Sequence, residues 1–127
     1  MKLLLDTHAF IWCDSEPAKL SLRAQELCQD PDNTLILSVA SVWEMQIKLQ
    51  LGKMQFKMPL PDMIRQQQEN GVEVLPVHAE HVFALDSLPA HHKDPFDRLL
   101  VAQAIVEGAA IITTDPLILQ YPVKVEW

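Results

Sequence analysis

Leu3, Leu4 and Leu5 form an unbroken apolar run that stops at an acid, Asp6. A strand with one wet face alternates apolar and polar residues, so a run without alternation belongs to a strand buried on both faces. The pattern returns at Thr34–Ser38 and at residues 109–113, with weaker strand signals at 72–75 and 123–125. Helical stretches lie between them. One spans 21–29 before the turn Pro31-Asp32-Asn33, and one runs from Val39 to a stop at Gly52. Others cover 60–70, closed by Gly71, and 78–87. A further helix opens at Asp94-Pro95, with Asp as cap and Pro at the first helical position, and ends before Gly108. Fully apolar strands alternating with helices predict an α/β fold: one domain over residues 1–127, with a parallel sheet of four to five strands flanked by helices.

A chain of 127 residues supports one core and not two. Lys2 and its leucines begin like a secretory leader, but Asp6 and His8 interrupt it too early. The longest apolar stretch, 99–112, is broken by Gln103, Glu107 and Gly108, so no membrane span is expected and the cytoplasm is the expected location. Cys13 and Cys28 have neither C-x-x-C spacing nor histidines at zinc-ligand spacing, and read as reduced packing residues. The net charge of −7 argues against a nucleic-acid binder held by bulk positive charge. Lys48, Lys53, Lys57 and Arg65 nevertheless cluster with only Asp62 opposing them, and Lys93 and Arg98 group with His91 and His92. Such groups are either solvated surface or a polyanion groove beside an acidic pocket.

The acids are placed more suggestively. Ligands of open parallel sheets gather beyond the carboxyl ends of the strands. Asp6 ends the first strand, and Asp115 follows the fourth. Both also precede helix-like segments, where aspartate serves equally as an N-cap. Glu44 completes Ser41-Val42-Trp43-Glu44, a capping-box pattern with Lys48 as an i+4 ion-pair partner, yet it borders the apolar stripe of Ala40, Ile47 and Leu51. Asp97 shares a helix face with Val101, Ala104 and Gly108, away from Gln103 and Glu107. A carboxylate on a packed face is costly unless something pairs with it, and a cation would. His8 adjoins this group as either a packing or a site histidine. Trp12, Trp43 and Phe96 read as packing before stacking platforms.

Four blocks in this order resemble the PIN-domain family: Leu3-Leu4-Leu5-Asp6-Thr7-His8-Ala9; Ser41-Val42-Trp43-Glu44-Met45 with Lys48, Leu51 and Gly52; His92 to Leu100; and Thr113-Thr114-Asp115-Pro116. Within that family the chain is most similar to VapC-like toxins of type II toxin–antitoxin pairs. The resemblance implies a Mg²⁺- or Mn²⁺-dependent ribonuclease, homodimeric and neutralised by a cognate antitoxin. Matched by position, Asp6, Glu44, Asp97 and Asp115 are the catalytic and metal-site acids, with Thr7, Asp94 and Thr113 as supporting residues. Asp94 is a second acid in the third block, and the helical-face argument favours Asp97 over it.

Carboxylates select hard cations that activate water and stabilise the leaving oxygen at phosphorus. Two other readings compete. A phosphotransferase with Asp6 as nucleophile, of the haloacid-dehalogenase kind, wants a second Asp where His8 stands. A catalytically idle PIN-like binding module, for RNA or protein, fits poorly with a complete acid set.

Overall fold

The computed structural model describes residues 1–90 and 94–127. His91, His92 and Lys93 lie outside the described residues, as does the expectation of a basic group formed with them.

Among the described residues the sheet is wholly parallel, with five strands in the order β3-β2-β1-β4-β5: β1 (Lys2–Leu5), β2 (Thr34–Ser38), β3 (Glu73–Leu75), β4 (Ala110–Ile112) and β5 (Val125–Glu126). β1 lies at the centre, and its leucines explain why. Leu3 and Leu5 enter the core on one face, whereas Leu4 packs with Leu100, Val101, Ala104 and Ile118 on the other. All three are at most 1% exposed. Complete burial of a leucine side chain contributes about 1.5–3 kcal/mol, so a strand with three is most stable in the middle of the sheet.

Among the described residues six α-helices accompany the strands: α1 (Thr7–Ser15), α2 (Leu22–Gln29), α3 (Val39–Gln50), α4 (Leu60–Glu69), α5 (Ala79–Ala84) and α6 (Pro95–Glu107). Residues of α1 to α4, such as Phe10, Ala24, Met45 and Met63, fill the core on the Leu3/Leu5 face, and α6 covers the Leu4 face. The fold class therefore follows the expectation. Cys13 and Cys28 are free thiols packed against the larger core cluster. No helix among the described residues is long and apolar enough to cross a membrane.

Several details differ from the sequence reading. The α-helix expected through 87 ends at Ala84 and tightens into a 3-10 turn over Leu85–Ser87. The last strand lies at Val125–Glu126, two residues later than expected, because Ile111 and Ile112 of β4 pair there. On α6 the polar Gln103 is fully buried where α5 packs against the helix. Its carbonyl accepts from Ser38 Oγ, and its amide donates to Pro76 O at 3.3 Å.

Ser38 thus serves two elements, since its Oγ also accepts from Ala40 N at 3.0 Å as the cap of α3. Ser38→Ala removes the cap and strands the Gln103 acceptor. A destabilisation of about 2–3 kcal/mol in urea unfolding is expected. A loss below about 0.5 kcal/mol would show that the network is dispensable.

Candidate metal centre

Placing β4 beside β1, after β2 and β3 have been laid on the other side, creates a reversal of strand order. Crevices form at such a reversal, beyond the strands' carboxyl ends. Asp6 follows β1 there and Asp115 follows β4, with Asp6 N donating to Ile112 O at 3.2 Å across the junction. Glu44 on α3 and Asp94 and Asp97 at the start of α6 line the same pocket, a cavity of about 340 Å³. Every carboxylate predicted for the site is therefore gathered in one place, although they span residues 6 to 115.

Local structure fixes each one. Asp6 caps α1, its Oδ1 accepting from Ala9 N at 2.7 Å. The cap and pocket readings are thus not exclusive. Burial is the largest influence on its carboxyl and pushes it above the ordinary range, and the Asp115 charge acts in the same direction. A hydrogen bond from Thr113, the Ala9 amide and the His8 charge oppose that rise without cancelling it. Asp115 sits in a tight turn, accepting from Leu117 N at 2.9 Å while its own amide donates to Thr113 Oγ1 at 3.0 Å. Thr113 therefore touches both acids that follow the strands.

Glu44 is buried, and both of its oxygens are engaged: Thr7 Oγ1 donates to Oε1 at 2.6 Å, and Lys48 Nζ lies 2.9 Å from Oε2. The i+4 ion pair forms as expected, but the capping box does not. Ser38 is the cap of α3, so Ser41 lies inside the helix, with its Oγ 3.0 Å from Thr7 Oγ1. Asp94 caps α6, accepting from Phe96 N at 2.8 Å and Asp97 N at 3.3 Å. Asp97 is half-buried one turn further on.

His8, Trp12, Lys48 and Thr114 complete the lining. Thr114 carries no signal in the sequence beyond its place next to Asp115. Arg98 donates to Pro89 O at 2.9 Å and to Leu85 O at 3.4 Å. Arg65 pairs with Asp62 at 3.1 Å on the exposed face of α4. A second cluster of potential ligands, Glu80, His81 and Glu107, lies at the other end of α6. His81 is fully buried, its Nδ1 accepting from His78 N at 2.9 Å and its Nε2 facing Glu107 at 3.1 Å. With both ring nitrogens engaged, the imidazole is a structural tie.

The sequence matches the family model described as the PIN domain over residues 3–124. The chain belongs to the PIN-domain family. It is 30% identical over 115 residues to Ribonuclease VapC22 of Mycobacterium tuberculosis, covering 89% of this chain and 86% of that protein. Its fold resembles that of VapBC2 from Rickettsia felis, solved bound to a promoter DNA fragment. The TM-score is 0.72 at 18% identity, covering 99% of this chain and 98% of that one. VapBC-1 from nontypeable Haemophilus influenzae matches with a TM-score of 0.61 at 20% identity, over 94% and 91% of the two chains.

The pocket of this PIN domain suits a hard cation. Its anionic donors are all carboxylates, backed by the hydroxyls of Thr7 and Thr113, with no thiolate among them. A desolvated aspartate beside another acid is a site whose charge a cation would offset. Because the Asp6 carboxyl is raised in the folded state, the folded apo protein binds more protons than the unfolded chain between the ordinary aspartate range and the raised value. Stability in chelator should fall as pH rises from the ordinary aspartate range through the raised value, and stay lowered above it. Asn retains the cap, so Asp6→Asn should be more stable than the parent in chelator at neutral pH, by about 1 kcal/mol. Melting curves at two pH values should show that gain vanish in acid below the ordinary range and shrink in Mn²⁺. A loss of stability independent of pH and metal would make Asp6 a cap alone.

Proposed function

We propose that this PIN domain is a Mg²⁺- or Mn²⁺-dependent endoribonuclease, the toxin of a type II toxin–antitoxin pair acting in the cytoplasm. The observation that carries the proposal is the convergence of Asp6, Glu44, Asp97 and Asp115 on one partly desolvated pocket at the switch point of the sheet. The similarity to a protein named as a ribonuclease supports RNA as the substrate class.

Asp6 and Asp97 are the residues we assign to direct cation binding, with Glu44 and Asp115 completing the charge directly or through water. A cation held there, one ion or two, would supply Lewis-acid stabilisation for in-line attack of water at phosphorus. The chain's own contribution is placement. Thr7 and Lys48 hold Glu44, Thr113 holds Asp6 and Asp115, and Asp94 fixes the start of α6 and with it Asp97. Lys48 also neutralises one carboxylate of the pocket, which limits repulsion before a cation arrives. The VapBC assemblies among its structural neighbours support an antitoxin partner, and the homodimer rests on the family resemblance. The chemistry of the pocket favours an arginine from that partner, whose planar fork pairs two carboxylate oxygens.

Labelled RNA should be cleaved in Mn²⁺ and left intact in chelator. Asp97→Asn should lower the rate by about 10²-fold or more, the cost of removing a key electrostatic group. Asp94→Asn should keep substantial activity, because Asn still caps α6. The reverse order would assign cation binding to Asp94. A parent protein inert on RNA in Mn²⁺ would refute the ribonuclease reading, and one fully active yet harmless when expressed alone in bacteria would refute the toxin reading.

A further inference from the structure

Beside the acids, the pocket has an aromatic wall. His8 and Trp12 are one turn apart on α1, on the face that lines the cavity. Their rings lie 5.9 Å apart at 45°, and Trp12 also meets Trp127 edge-on at 5.9 Å and 63°. Contacts with both rings and with the larger core cluster fix the orientation of the indole. It is only partly buried, although it borders a cavity whose other walls are carboxylates, hydroxyls and Lys48. Trp12 packs against the larger core cluster with part of its surface and borders the acids with another part. A planar π-surface next to a cation site suits a ligand carrying both a phosphate and a flat ring.

We propose that Trp12, steadied by His8 and Trp127, is the stacking surface for the nucleobase adjoining the scissile phosphate of single-stranded RNA. This inference rests on the ribonuclease reading above. Asp6 caps α1 and Trp12 stands six residues along it, roughly 9 Å at the rise of a helix. That separation places a phosphate over the acids with a neighbouring base against the indole. Bases within a duplex are already stacked on one another, whereas those of single strands and loops are free to stack on protein rings. The site therefore selects unpaired RNA, and stacking tolerates several bases, so Trp12 contributes affinity and register more than sequence preference.

The test begins by treating total bacterial RNA with the parent protein in Mn²⁺ and mapping the cuts. A synthetic RNA spanning a mapped cut then serves as substrate for the parent, Trp12→Phe and Trp12→Leu. Trp12→Leu should raise KM about ten-fold with kcat nearly unchanged, a size that base–aromatic stacking supplies, and Trp12→Phe should retain most of the affinity. Replacing nucleotides one at a time with abasic ones should weaken binding to the parent at one position beside the cut, with no further loss for Trp12→Leu there. A parental KM for Trp12→Leu, or an abasic penalty equal in both proteins at every position, overturns the proposal. Should Trp12→Leu also escape neutralisation by its partner, the ring would be a protein contact instead. If Trp12→Leu does not fold, the abasic scan on the parent decides, and a flat scan refutes stacking. Failure of the parent to cut any RNA would instead refute the ribonuclease reading.

Discussion

The pairing of β1 with β4 governs everything that follows from this fold. The chain lays β2 and then β3 on one side of β1 before returning across the sheet to set β4 on the other. Leu3, Leu4 and Leu5 align with Ala110, Ile111 and Ile112 in that pairing. The residues just beyond each strand, Asp6 and Asp115, are thereby brought to one crevice. The helix that carries the chain back, α6, must begin at the same edge because it runs antiparallel to the strands. Its first turn contributes Asp94 and Asp97. A slip of one residue in this register would turn the leucines of β1 to the wrong faces, so the packing of the core and the geometry of the site are specified together.

Gathering negative charge in a partly desolvated place costs free energy, and the structure shows where the cost is moderated. Glu44 is held by a hydroxyl and an ammonium group, Asp94 and Asp6 accept from helix amides, and Thr113 bridges the acids of β1 and β4. Asp6 is where the cost remains visible, with its carboxyl raised by burial and by Asp115. Charge that local partners leave uncompensated is what a divalent cation would neutralise, and sites of this kind are commonly functional.

Much of this was legible in the sequence. Runs such as 3–5 and 109–112 announce buried parallel strands, because no other environment tolerates apolar residues on successive positions of a strand. Asp94-Pro95 and Gly108 mark both ends of α6 as the structure has them. The four motif blocks led to the family and to the acids that line the pocket. The illegible parts depend on tertiary neighbours. α1 carries Ala9, Phe10, Ile11, Trp12 and Cys13 in succession, which obscures any helical period, so only its cap was readable. Gln103 looks like a surface residue until α5 covers it. Ser41-Val42-Trp43-Glu44 matches a capping box, yet Ser38 takes the cap three residues earlier, leaving Glu44 free to turn to Thr7 and Lys48. Sequence spacing cannot distinguish these outcomes, because the competing hydrogen-bond partners come from elements distant in the chain.

The central claim is that acids from distant segments form one cation site, and direct Mn²⁺ binding tests it without reference to any substrate. Calorimetric titration of the parent, Asp6→Asn, Asp97→Asn and the double variant measures whether the two acids act on the same ion. The account predicts saturable binding by the parent, a marked loss in each single variant, and a double variant little worse than either, since residues sharing one ligand are not additive. Binding unaffected by either substitution, or an absence of saturable Mn²⁺ binding in the parent, would contradict it.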